Sequence, residues 1–153
     1  MKFSCSLISV KDISASRKFY EDLFGLEAKY DFGANIVFSC GLSLQQGFAE
    51  LAGIPSDDVV YKANNFELCF EEENFDAFVF VLKKRPEIVY LHDIIEHSWG
   101  QRVIRFYDPD GHIIEVGESM CSVVKRFLDQ GLTIEETATR TQHPIDFVKS
   151  CAE

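Results

Sequence analysis

The chain has 153 residues, with 15 Lys and Arg against 25 Asp and Glu for a net charge of −10. One domain of that length buries about 68–70% of the surface its unfolded form exposes, and a composition that is 46% hydrophobic and 13% aromatic excludes a disordered chain. The acidic balance speaks against nucleic acid and against anionic membranes as partners, because both select clustered Lys and Arg.

No stretch approaches the roughly 18 apolar residues of a membrane span. The start, Met1 to Val10, carries one basic residue and three serines and has no small-residue cleavage site, so it does not read as a secretory signal. The five cysteines, Cys5, Cys40, Cys69, Cys121 and Cys151, are odd in number and form no CxxC pair. They are expected to be free thiols, and the protein cytoplasmic.

Residues 3–10 alternate as a strand, with Cys5 and Leu7 on one face and Ser6, Ile8 and Val10 on the other. Asp12 and Ser14 offer caps for a helix in which Ala15, Phe19 and Leu23 stack at i, i+4, i+8, with Gly25 as its stop. Strand-like runs follow at 26–32, 35–40 and 42–46. Residues 47–64, rich in Gly, Pro, Ser and Asp, read as a linker with one helical turn near Ala49 to Ala52.

The pattern then restarts. Glu67, Cys69 and Glu71 alternate with Phe66, Leu68 and Phe70, and Asn74 caps a helix with Phe75, Phe78, Val79 and Leu82 at i, i+3, i+4, i+7. The Phe-rich helix from Phe75 to Phe80 is expected to be core. Strands are predicted at 87–94, 102–107 and 112–117, and Asp108-Pro109-Asp110-Gly111 matches a type I turn position by position. An offset of 62 residues carries Cys5 onto Glu67. The chain is therefore expected to be α+β, with two β-α-β-β-β units at about 3–46 and 66–118 forming a domain over 1–118.

Residues 119–153 read as a helical extension. Val123, Val124, Phe127 and Leu128 form an apolar stripe, Thr133 and Glu136 a capping box, and Pro144 opens a last helix. The outline is that of a helix-turn-helix, but its four basic residues are opposed by five acidic ones, so it lacks the basic face of a DNA reader. The unpartnered stripe points instead to a homodimer.

The phrase from Arg102 to Val116, with DPDG and then Glu115, resembles the closing hairpin of the vicinal oxygen chelate superfamily. Residues 10–26, from Val10 through Phe19-Tyr20-Glu21 to Leu26, look like its first strand and helix. That superfamily holds glyoxalase, the bleomycin-resistance proteins, extradiol dioxygenases and fosfomycin-modifying enzymes. The resemblance implies a half-barrel from each unit, a small-molecule pocket on their concave faces, and metal ligands at matching places on the first and last strands. Carried over, those places fall on Cys5, Ser43, Glu67 and Glu115, with Gln45 as the alternative to Ser43. Glu115 keeps the family residue, whereas no position holds His, which argues against a dioxygenase.

Two functional classes follow. The first is a metal-independent protein that binds or sequesters a small molecule, with no cofactor, its pocket formed by Cys5, Ser43, Glu67, Cys69, Trp99 and Glu115. Its acidic walls suit a cationic or amine-bearing ligand. The second is a divergent lyase or isomerase of glyoxalase type holding one divalent ion (nickel, zinc or manganese) through Glu67, Glu115 and the rim residue His97. Each functional residue also has a plain structural reading. The two carboxylates could simply pair with Arg102 or Arg105, Cys5 could be a small core residue, and His92, His97, His112 and His143 form no ligand spacing. Beside Glu115, Gly117 is expected to leave room on the pocket face.

Overall fold

The computed structural model describes residues 1–153 and is α+β, as the sequence predicts. It divides into two compact units, residues 1–66 with 107–112, and residues 67–106 with 113–153.

In the first unit β1 (Ser6–Val10) leads into α1 (Ile13–Phe24), followed by β2 (Ala28–Asp31), β3 (Asn35–Phe38) and β4 (Leu42–Gln46). The sheet order is β1-β4-β3-β2, with β1 parallel to β4 and the remaining pairs antiparallel. Alternation buries Ile8, Val10, Ile36, Phe38, Leu42 and Leu44 together with Phe19 and Tyr20 of α1. Asp12 caps α1 by accepting the N–H groups of Ser14 and Ala15, and Gly25 ends it in the left-handed conformation. The linker contains α2 (Phe48–Ala52) and a 3-10 turn at Ser56–Asp58.

The segment Tyr107–His112 belongs to this unit because its acidic turn grips α1. Asp110 accepts from the Lys11 N–H and the Ser16 hydroxyl, both at 2.9 Å, and Asp108 accepts the Tyr20 hydroxyl at 2.8 Å. The turn closes with the Gly111 N–H donating to the Asp108 carbonyl. Gly111 is required there: its φ is +90°, and a Cβ would stand 3.0 Å from Lys62 Cβ.

The second unit repeats the order with β5 (Glu67–Glu72), α3 (Phe75–Leu82), β6 (Val89–Glu96), β7 (Arg102–Tyr107) and β8 (Ile113–Glu118), in the sheet order β5-β8-β7-β6. Phe75, Val79 and Leu82 of α3 are buried, as are Val103, Ile104, Phe106, Ile114 and Val116. The expectation for the Phe-rich helix fails at its end: Phe80 is 63% exposed, with Lys84 Nζ 3.8 Å above its ring. A helix that is apolar nearly all round does not reveal in sequence which face is covered.

The tail belongs to the same unit as α4 (Met120–Asp129), α5 (Ile134–Thr141) and α6 (Ile145–Ala152). Two expectations about it are overturned. The stripe on α4 is covered within the chain: Val124 packs with Ala138, Val148 and Cys151, while Met120, Val123 and Phe127 pack with Trp99 and Leu132. It therefore supplies no reason for a dimer. Nor are all five cysteines free, because Cys121 and Cys151 are joined in a disulfide across 30 residues, with Cα atoms 5.0 Å apart. Packing of α6 on α4 brings together two cysteines whose spacing announces nothing. No helix is long and apolar enough to cross a membrane.

Candidate functional site

A row of polar side chains crosses the second sheet from strand to strand: Glu67 and Cys69 on β5, Glu115 on β8, Arg105 on β7 and His92 on β6. Parallel pairing sets Cys69 directly beside Glu115, with Glu67 two residues earlier on the same face. Sulfur and carboxylate donor atoms of Glu67, Cys69 and Glu115 lie within 4.8 Å of one another. The sequence-predicted carboxylates are thus brought together.

Arg105 takes both of them. Its Nε donates to Glu67 Oε2 at 2.9 Å, and its Nη2 is ion-paired with Glu115 Oε2. On the other side Nη1 lies 3.4 Å from His92 Nε2. Burial works against the charge of Arg105, but the bond from Glu67 and the fields of Glu115 and Glu67 outweigh it and hold the guanidinium above its ordinary pKa. Cys69 is pushed the other way in charge: partial burial, then the Glu115 and Glu67 carboxylates, raise its pKa and keep it a thiol. Its Sγ rests 3.8 Å from Glu67 Oε1. Two carboxylates and one guanidinium leave a formal charge of −1 on this face.

The donor set fits a divalent ion poorly. One oxygen of each carboxylate already accepts from Arg105. The Arg105 guanidinium thus bridges the two carboxylates and supplies a positive charge between them.

In the first unit Cys5 stands half-buried just before β1, and Ser43 is buried on β4 with its Oγ unpaired. The register pairs Leu7 with Ser43 as it pairs Cys69 with Glu115, so Ser43, rather than Gln45, is the counterpart of Glu115 under the 62-residue offset. His97 is not part of the carboxylate row. It stacks on Trp99, with ring centroids 4.3 Å apart, and Trp99 donates to Gln101 Oε1 and packs on the tail. The room expected beside Gly117 is filled, since a Cβ there would stand 2.8 Å from Gln101 Nε2. In the sequence Arg105 is one of two candidate partners for the carboxylates, and His92 stands in no ligand spacing. Alternation places Glu67 and Glu115 on one face, but the register of β7 against β8, which decides which Arg reaches them, is set by three-dimensional pairing.

On the opposite side of β8, Glu118 is buried and receives both Arg102 and Arg126. Arg102 also reaches Asp76 at the start of α3. This cluster ties α4 to the sheet and is separate from the carboxylate row.

Residues 3–121 match the family described as a glyoxalase-like domain. A crystal structure of a protein of unknown function from Agrobacterium tumefaciens str. C58 is 37% identical, covers 78% of this chain and 94% of its own, and superposes with a TM-score of 0.67. A glyoxalase/bleomycin resistance protein/dioxygenase family enzyme from Burkholderia phytofirmans PsJN shares 16% identity over 77% of this chain and 98% of its own, also at 0.67. Lactoylglutathione lyase from Agrobacterium tumefaciens shares 23% identity over 74% of this chain and 90% of its own, at 0.57. At these two identities the likeness is one of fold. Among curated proteins none matches the chain.

Proposed function

We propose that this chain, which belongs to the glyoxalase-like family, is a metal-independent small-molecule-binding protein of the vicinal oxygen chelate superfamily. The observation that carries this reading is Arg105, whose guanidinium bridges Glu67 and Glu115 and so serves as the cation between them. A divalent ion entering there would have to displace two charge-assisted contacts, which are about twice as strong as neutral hydrogen bonds. The ligand proposed is small and cationic or amine-bearing. Support comes from the residual −1 charge and from the second oxygen of each carboxylate, which Arg105 does not take.

The alternative reading, a glyoxalase-type lyase or isomerase with one divalent ion, is favoured by the closeness of the Glu67, Cys69 and Glu115 donor atoms. Elemental analysis of protein made without a His tag, in medium supplied with nickel, zinc and manganese, separates the two. Metal well below one equivalent supports the binding protein, and one equivalent supports the enzyme.

A homodimer remains part of the proposal on a different surface. Edge strand β6 exposes Val89, Tyr90, Leu91, Ile94 and Ile95, and an apolar free edge favours pairing with a second copy. As to location, the free thiols of Cys5, Cys40 and Cys69 fit the cytoplasm expected from sequence. In that setting reductants would hold the Cys121–Cys151 bridge open, and the tail would rest on its apolar contacts.

A further inference from the structure

A cavity of about 350 Å³ opens in the first unit, between the end of β1 and the linker that carries α2 and the 3-10 turn. It lies at the small end of the range for ligand sites, about 300–1,000 Å³. Its walls divide by chemistry. Phe48 and Val59 supply apolar surface, and Ser9, Ser56 and Tyr61 supply hydroxyls.

Its one charged wall residue is Lys11. The ammonium stands 4.3 Å from the centroid of the Tyr61 ring, and no carboxylate lies within ion-pairing distance of it, in a chain where acidic residues outnumber basic ones by ten. The backbone beside it is fixed, because the Lys11 N–H donates to Asp110. Ser9 Oγ and Tyr61 Oη are 3.3 Å apart, so their mutual bond consumes one hydroxyl hydrogen and leaves the other to donate elsewhere. An unpaired cation held on an aromatic face, a spare hydroxyl donor and an apolar wall form an acceptor for an anion with an apolar body. One lysine, with no second cation on the walls, suits a single negative charge.

We propose that this cavity binds a small monocarboxylate with an apolar chain, the carboxylate on Lys11 and the Ser9–Tyr61 hydroxyl pair and the chain against Phe48 and Val59. The inference does not rest on the function proposed for the second unit.

The test uses the full chain, isotope-labelled, with hexanoate as the probe and hexan-1-ol as its uncharged counterpart. Two-dimensional NMR titration should show saturable shifts of the backbone amides of Lys11, Gly47, Ala49 and Tyr61 with hexanoate. Hexan-1-ol should bind at least about tenfold more weakly, as expected when a charge-assisted contact is missing. Lys11→Met, which keeps the apolar stem, should lose that preference, and Lys11→Arg should keep it. Absence of saturable shifts, equal binding of the two probes to the wild type, or an unchanged preference in Lys11→Met would overturn the proposal. Comparison of the two probes on the wild type needs no variant, so a poorly folding Lys11→Met would not shield the proposal from refutation.

Discussion

Replacing Glu118 by Gln removes one charge from a side chain that is only 5% exposed. Each carboxylate oxygen accepts two N–H groups, Oε2 from Arg102 Nε at 3.1 Å and Arg126 Nη2 at 3.0 Å, Oε1 from Arg102 Nη2 at 3.1 Å and Arg126 Nε at 3.4 Å. An amide keeps one acceptor and turns an NH₂ toward two guanidinium groups that only donate. Breaking a buried pair costs about 3–5 kcal/mol. Neither arginine is left alone, since Arg102 retains Asp76 and Arg126 retains the Gly100 carbonyl, so the low end applies and Glu118→Gln should lose about 3 kcal/mol. Burial raises the pKa of Glu118, but the bonds from Arg102 and Arg126 prevail and hold it below its ordinary 4.5. The stability it contributes is therefore complete above about pH 4.5 and is lost as pH falls through the folded-state value, because there the unfolded chain binds the proton more readily. Urea unfolding followed by the fluorescence of Trp99, which packs on Met120, Val123 and Phe127, should show the full deficit at pH 7 and a shrinking one below pH 4. A deficit under about 1 kcal/mol at pH 7, or one that is equal at both pH values, would contradict the role of Glu118 as the shared acceptor of Arg102 and Arg126.

Two further outcomes are expected. Tyr20 is fully buried with its hydroxyl on Asp108, and burial first, then the charge of Asp108, raises its pKa well above 10.0. Tyr20→Phe should cost about 1.5–3 kcal/mol at pH 7. Above pH 10 the unfolded wild type releases a proton that the folded state keeps, so wild-type stability should fall there more steeply than that of the variant, as denaturant midpoints at pH 8 and pH 11 would show. Reducing the Cys121–Cys151 disulfide frees a 30-residue loop and should lower stability by about 3–4 kcal/mol, read as a drop in melting temperature with a phosphine reductant.

Much of the fold was legible because the cues were local. Asp12 and Asn74 cap helices as their side chains predict, Thr133 and Glu136 close a capping box, and the Asp108–Gly111 turn forms its i to i+3 bond. Alternation likewise put Glu67 and Glu115 on one face. What stayed hidden depends on pairing between distant segments. The covering of the α4 stripe, the Cys121–Cys151 bridge and the filling of the space beside Gly117 by Gln101 all follow from tertiary packing, which no period of 2 or 3.6 residues encodes. Arg105 is the important case: Arg102 and Arg105 are equal candidates in sequence, and pairing of β7 with β8 sends the first to Glu118 and the second to Glu67 and Glu115. The acidic turn shows the same limit, since its spacing reveals the turn but not that its carboxylates hold α1.

The central claim is that Arg105 is the cation of the carboxylate row, and zinc titration calorimetry on the wild type and on Arg105→Gln tests it most directly. Removing the guanidinium leaves two carboxylates and a thiol with donor atoms within 4.8 Å and no positive charge between them. Weak zinc binding is expected for the wild type, and affinity at least about tenfold higher for Arg105→Gln, a gain of about 1.4 kcal/mol. Tight one-to-one binding of zinc by the wild type, unchanged or weakened in Arg105→Gln, would contradict this claim.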